Sequence, residues 1–161
     1  MEIRKSTPKD LDTLLHLYAD ARDFMAKNGN PLQWGDTYPS AELVRCDIEE
    51  GCSYVCIHDG QIAGTFYFKT GEDPAYRNIS DGSWLNEHPY GVIHRITSAS
   101  HTKGVASFIF GWCFRQCGNL KIDTHDDNLP MQKALKKNGF IHCGTIYLED
   151  GSKRIAYQRE K

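Results

Sequence analysis

The chain has 161 residues, of which 40% are apolar and 25% charged, with a formal net charge of −2. That size suits one domain over residues 1–161 with a real core, and the lack of a basic field argues against nucleic acid as a partner. No apolar run reaches membrane-spanning length and Met1-Glu2-Ile3-Arg4-Lys5 has no signal-peptide character, so a cytoplasmic protein, off the membrane and monomeric or homodimeric, is expected. The cysteines at 46, 52, 56, 113, 117 and 143 form no C-x-x-C pair and meet no histidine at zinc-finger spacing. They read as reduced thiols, and no metal is expected.

Glu2 to Lys5 predicts a first strand. Thr7-Pro8-Lys9-Asp10 is a helix start, with a Thr cap, Pro at the first helical position and Asp three after the cap. Leu11, Leu14, Leu15, Tyr18 and Met25 follow at helical spacing, and Asn28-Gly29 ends the helix. A loop with Trp34 and Asp36 leads to Ser40, which caps a short helix reaching Glu50. Ser53 to Ile57 and Gln61 to Lys69 predict a hairpin around Asp59-Gly60, with Ile62, Gly64, Phe66 and Phe68 on one face. Thr70 to Pro89 is polar, turn-rich and read as an excursion loop.

Tyr90 to Thr97 predicts the next strand. After Gly104, the positions of Val105, Phe108, Ile109, Trp112 and Cys113 form an amphipathic stripe. Leu120 to His125 is a strand. Asn128 caps a helix closed by Gly139, and Phe140 to Leu148 with Lys153 to Arg159 forms a last hairpin around Asp150-Gly151. The elements run β-α-α-β-β-β-α-β-α-β-β, which predicts an α/β protein with a mixed sheet of about seven strands flanked by about four helices. The strand-turn-helix at 90–106 is a ready anion site, because helix N–H groups and the positive helix end converge there.

This order, with His101-Thr102-Lys103-Gly104-Val105-Ala106 at the turn, Asn128 as a cap and Gly139-Phe140 at the helix end, resembles the GNAT superfamily of acyl-CoA N-acyltransferases over the whole chain. The family's turn signature is Arg or Gln, two residues, Gly, one residue, then Gly or Ala; Gly104 and Ala106 fit and His101 departs. The resemblance implies a splayed sheet and acetyl-CoA as co-substrate, bound by His101, Thr102, Lys103, Gly104, Val105 and Ala106, by the strand edge at Ile96 and Thr97, and by Asn128. Many members carry an acid tyrosine four residues before the helix-ending Gly. That position is Leu135 here.

Acyl transfer to an amine needs a base for the amine proton and donors for the growing charge on the thioester oxygen. His94, His125, Asp123 and Asp36 are the candidate bases, and Tyr147 is a candidate substitute acid. Histidine is apt because its charge changes near neutral pH. Each has a structural alternative: His94 as a hydrogen-bonded sheet residue, Asp123 and His125 as strand-end polar groups, Tyr147 as a strand aromatic, and Asn128 as a plain cap. Arg95 is as readily the partner of a buried carboxylate. The resemblance places the loop with Trp34, Asp36 and Tyr38 over the acceptor, with Asp123 also facing it. The expected activity is acetyl transfer to a primary amine of a small molecule or peptide in a ternary complex. Asp36, Glu42 and Asp123 favour a cationic amine, and the alternative is a non-catalytic acyl-CoA-binding module.

Overall fold

The computed structural model describes every residue from Met1 to Lys161. In chain order the elements are β1 (Glu2–Lys5), α1 (Leu11–Lys27), α2 (Ala41–Glu49), β2 (Ser53–His58), β3 (Gln61–Thr70), β4 (Gly91–Ser98), α3 (Val105–Cys117), β5 (Asn119–Thr124), α4 (Leu129–Lys137), β6 (Ile141–Tyr147) and β7 (Lys153–Glu160). The expected mixed α/β order is realised. The local end signals act as read: Ser40 Oγ accepts from Leu43 N at 3.1 Å and Asn128 Oδ1 from Met131 N at 3.1 Å.

The strands form one sheet in the order β1-β2-β3-β4-β5-β7-β6. Every neighbouring pair is antiparallel except β4 and β5, which run parallel and pair only at Gly91↔Leu120 and Val92↔Lys121. Beyond that point the two strands diverge, leaving one edge of β4 unpaired towards its C-terminus.

Three apolar clusters hold the sheet. On one face α3 and α4 pack on Phe66, Ile93, Leu120 and Ile122, with Ile109, Phe110, Leu135 and Phe140 buried between. On the other face α1 and α2 cover the β2–β3 half through Leu14, Tyr18, Val44, Ile48 and Val55. The 70–90 connection covers the remaining half of that face, where Tyr76 packs on Val92, Ile146 and Ala156. Each large apolar side chain so buried contributes roughly 1.5–3 kcal/mol. Ile62 does not share a face with Phe66 and Phe68 as expected: a register shift between Cys56 and Ile57 opposes Ile62 to Ile57 and turns it towards the α1–α2 cluster. Alternation is broken wherever a bulge adds a residue.

A second bulge matters more. Thr65 pairs with Thr97 and Tyr67 with His94, so Phe66 alone opposes both Arg95 and Ile96. Arg95 takes φ +49°, a left-handed conformation rare for a side chain of its size and costing roughly 1–3 kcal/mol. Its surroundings hold it there. Tyr18 Oη donates to its carbonyl at 3.1 Å. Its guanidinium grips the Asp47 carboxylate with two hydrogen bonds of 2.8 Å, donates to Tyr38 Oη at 3.0 Å, and stacks 4.7 Å from the Tyr67 ring centre. Burial pushes the Asp47 carboxyl up, and Arg95 pulls it back through its charge and two charge-assisted bonds. Asp47→Ala strands the Arg95 charge inside and is expected to cost about 3 kcal/mol in chemical denaturation. An unchanged midpoint would show that the bulge does not need this pair.

Candidate active site

The divergence of β4 from β5 opens a cleft at their C-terminal ends. Two cavities adjoin there, of about 530 and 370 Å³, and Met25, Ile96, Asn128 and Met131 line both. The larger lies between His94 on β4 and Asp123 and Thr124 on β5, with Trp34 and Tyr38 from the α1–α2 loop on its wall. The smaller runs along Ile96, Thr97, Ser98 and Ala99 to Thr102 and Ala106, with Phe24 of α1 opposite.

The smaller cavity is a row of main-chain groups. On one side β4 pairs with β3 through Thr97 and Ser98, and its other edge has no strand beyond Val92. The row ends at α3, whose cap is Gly104 at φ +80° with no side-chain capping bond. The first-turn N–H groups of a helix have no acceptor within it, so here they remain free for an anion. A Cβ built on Gly104 meets no protein atom within 4 Å. The constraint on this residue is therefore its backbone angle and the space beside it.

The larger cavity holds two hydrogen-bonded acid pairs. His94 Nε2 lies 2.6 Å from Asp73 Oδ2, and its ring sits between Tyr67 and Tyr76, with centroids 5.7 and 5.9 Å away. Asp73 Oδ1 also accepts from Ala75 N at 2.9 Å. Tyr76 Oη donates to Asp123 Oδ2 at 2.7 Å, and burial, reinforced by Asp123, pushes the Tyr76 phenol well up. The hydrogen bond from His94 holds Asp73 below the ordinary carboxylate value of 3.8. An ionised Asp73 only accepts, so Nε2 carries a hydrogen, and in the neutral form of the ring the lone pair lies on Nδ1. Thr124 Oγ1, in a residue 1% exposed, has no hydrogen-bond partner.

Trp34, Tyr38, His94, Ile96, Asp123 and Asn128 come together at the larger cavity, and Ile96, Thr97, Thr102, Ala106 and Asn128 at the smaller. His101 and Lys103 are exposed on the turn, and the Val105 side chain is core, leaving only its main chain for a ligand. Asn128 caps α4 through Oδ1 and donates one Nδ2 hydrogen to Gln33 Oε1 at 2.9 Å, which leaves its second N–H and second lone pair unused. Three expected residues are not brought to the cleft. His125 Nδ1 accepts from Asp127 N at 3.0 Å, which ties the ring into the β5–α4 turn. Tyr147 is 54% exposed on the outermost strand, because β6 lies beyond β7. Asp36 is exposed on the loop and lines neither cavity. Sequence reasoning missed Asp73 and Tyr76. Asp73-Pro74 is a helical-turn start, and Asp73 does cap that turn, but nothing local says that the turn folds back onto β4. Because Asp73 titrates lower folded than unfolded, its pairing adds stability that is complete above about pH 4 and lost as pH falls through the lowered value. Urea unfolding across acid pH checks this: wild type loses stability more steeply on acidification than Asp73→Asn, and equal slopes would refute the pairing.

No protein-family model matches the sequence, and no curated protein does. Solved structures do. An acetyltransferase of the GNAT family from Streptococcus agalactiae 2603 is 32% identical over 99% of this chain and 95% of its own, with a TM-score of 0.90. A GNAT-family acetyltransferase from Bacillus cereus ATCC 10987 is 21% identical over 99% of this chain and 96% of its own, with a TM-score of 0.65. Aminoglycoside acetyltransferase AAC(6')-Ib, solved with coenzyme A and kanamycin, is 18% identical over 99% of this chain and 94% of its own, with a TM-score of 0.66. The last two speak to the fold alone. With a split sheet, a glycine-capped helix at the split, and 32% identity to the streptococcal protein over nearly the full length of both, the chain belongs to the GNAT family of acetyltransferases.

Proposed function

We propose that this acetyltransferase moves the acetyl group of acetyl-CoA to a primary amine of a small molecule or peptide, by direct attack in a ternary complex. The observation that carries the reading is the meeting of the two cavities at Ile96 and Asn128. One offers strand-edge and helix-end donors; the other holds a histidine–carboxylate pair. AAC(6')-Ib, alike in fold, was solved with both coenzyme A and an amine-bearing partner, kanamycin.

The residues present fit the donor. The N–H groups at the start of α3 suit a pyrophosphate, and Lys103 adds an exposed charge nearby. The open edge of β4 from Ile96 to Ser98 suits an amide-rich arm that pairs as an extra strand. When bound, acetyl-CoA supplies an activated thioester carbonyl. Main-chain N–H groups on that edge are the donors available to its oxygen. His94, with Asp73 fixing its tautomer, takes the proton of the attacking amine on Nδ1. The carbon–nitrogen bond forms as the carbon–sulfur bond breaks. Leu135 is fully buried in the core and Tyr147 faces solvent, so neither protonates the departing thiolate.

Two measurements test this. Isothermal titration is expected to give micromolar-range binding of acetyl-CoA that Gly104→Val abolishes, since a branched side chain strains the positive φ and fills the approach to α3. Unchanged affinity in a folded variant would count against the site. In a thiol-release assay over primary amines, His94→Ala is expected to lower kcat by about 10²- to 10⁴-fold with little change in acetyl-CoA affinity. A wild-type rate would return His94 to a structural role.

A further inference from the structure

Arg154 opens an account of what the acceptor looks like. It stands near the start of β7, one register step beyond the Thr124↔Ile155 pair, on the opposite arm of the split from His94. The residue is 8% exposed and lines the larger cavity. Its guanidinium donates to two main-chain carbonyls, Lys153 O at 2.9 Å and Gln33 O at 3.1 Å. No carboxylate pairs with it, although such pairs form elsewhere on the chain.

The contrast with Arg95 is informative. Both guanidiniums line the same cavity, but Arg95 is locked onto Asp47 by two short bonds and has no charge to spare. Asp150, the cavity carboxylate in the hairpin beside Arg154, is exposed and accepts from Ser152 N at 2.9 Å instead. Arg154 feels Asp150 through charge alone, with no carboxylate bonded to it, and a guanidinium with two of its five N–H groups engaged keeps a donor edge free for a planar or tetrahedral anion. Thr124, the residue paired with Ile155 beside Arg154, also contributes to the wall of this cavity. The opposite arm carries Asp73 bonded to His94, while Asp123, on Arg154's own arm, is engaged by Tyr76.

We infer that the acceptor is dipolar: an amine that also bears an anionic group, a carboxylate or a phosphate, bound by Arg154 while the amine lies towards His94. The inference rests on the acetyl-transfer reading for where the amine lies. It narrows the cationic amine expected from Asp36, Glu42 and Asp123, of which only Asp123 lines the cavity. A cavity of about 530 Å³ is large enough for an amino acid or a short peptide.

The test uses matched amines differing only in the anion: amino acids against their carboxamides, and phosphoethanolamine against ethanolamine. Each is assayed for thiol release with acetyl-CoA and, separately, for binding to the protein saturated with free CoA. The expected result is a preference of about 10- to 100-fold for the anionic member of one pair. Arg154→Gln erases that preference, Arg154→Lys restores part of it, and acetyl-CoA affinity does not change. Which pair responds tells carboxylate from phosphate. Neutral members binding and reacting as well as anionic ones would overturn the inference, as would a preference that survives in Arg154→Gln. Selective binding of an anionic amine without any thiol release would instead uphold Arg154 and count against the transferase reading. The wild-type comparison stands even if the variants fail to fold.

Discussion

The structure depends on keeping one arginine in a backbone conformation it would not choose. Arg95 at φ +49° makes β4 present two residues where β3 presents one, and the strand that results runs on beyond its short parallel pairing with β5. The restraints come from three separate pieces of chain: Tyr18 on α1, Tyr38 in the following loop, and Asp47 on α2. Without them, an ordinary extended strand would put His94 and Ile96, two residues apart, on one face, whereas here His94 packs by Tyr76 and Ile96 against the α3–α4 cluster. Strain held by surrounding structure at a cleft is the usual form in which a fold prepares a site.

The split then divides labour between two surfaces. One is nearly independent of side-chain identity, since a strand edge and a helix end present main-chain groups. The other depends on side chains delivered from far along the chain: Asp73 from the 70–90 connection, His94 from β4, Asp123 from β5, Arg154 from β7. Gln33 stitches the two arms, accepting from Asn128 on α4 while its carbonyl accepts from Arg154. The α1–α2 loop is therefore part of the cavity wall.

What the sequence made legible follows the range of the interactions involved. Helix caps, hairpin turns and apolar periodicity are local, and so the elements, their order and the glycine-capped entry to α3 were readable. The two bulges were not, because each depends on how a neighbouring strand sits, and one of them turned Ile62 to the other face. Among the candidate site residues, His94 and Asp123 were read from strand positions near the split and do line the cavity. His125 and Tyr147 were chemically reasonable, but the ring of one is tied into its own turn and the other lies on an edge strand. Asp73 was hidden for the opposite reason: its own segment is plain turn chemistry, and its meaning comes from a histidine 21 residues later.

The central claim is that the unpaired edge of β4 and the start of α3 together receive the donor. Amide hydrogen exchange, resolved to single residues with and without acetyl-CoA, tests that claim most directly. The account predicts that protection rises at those amides from Ile96 to Ser98 that face away from β3 and at Gly104 to Ala106, while the amides in the β2–β3 ladder change little. Protection that appears elsewhere, with these amides exchanging as fast as in the free protein, would contradict it.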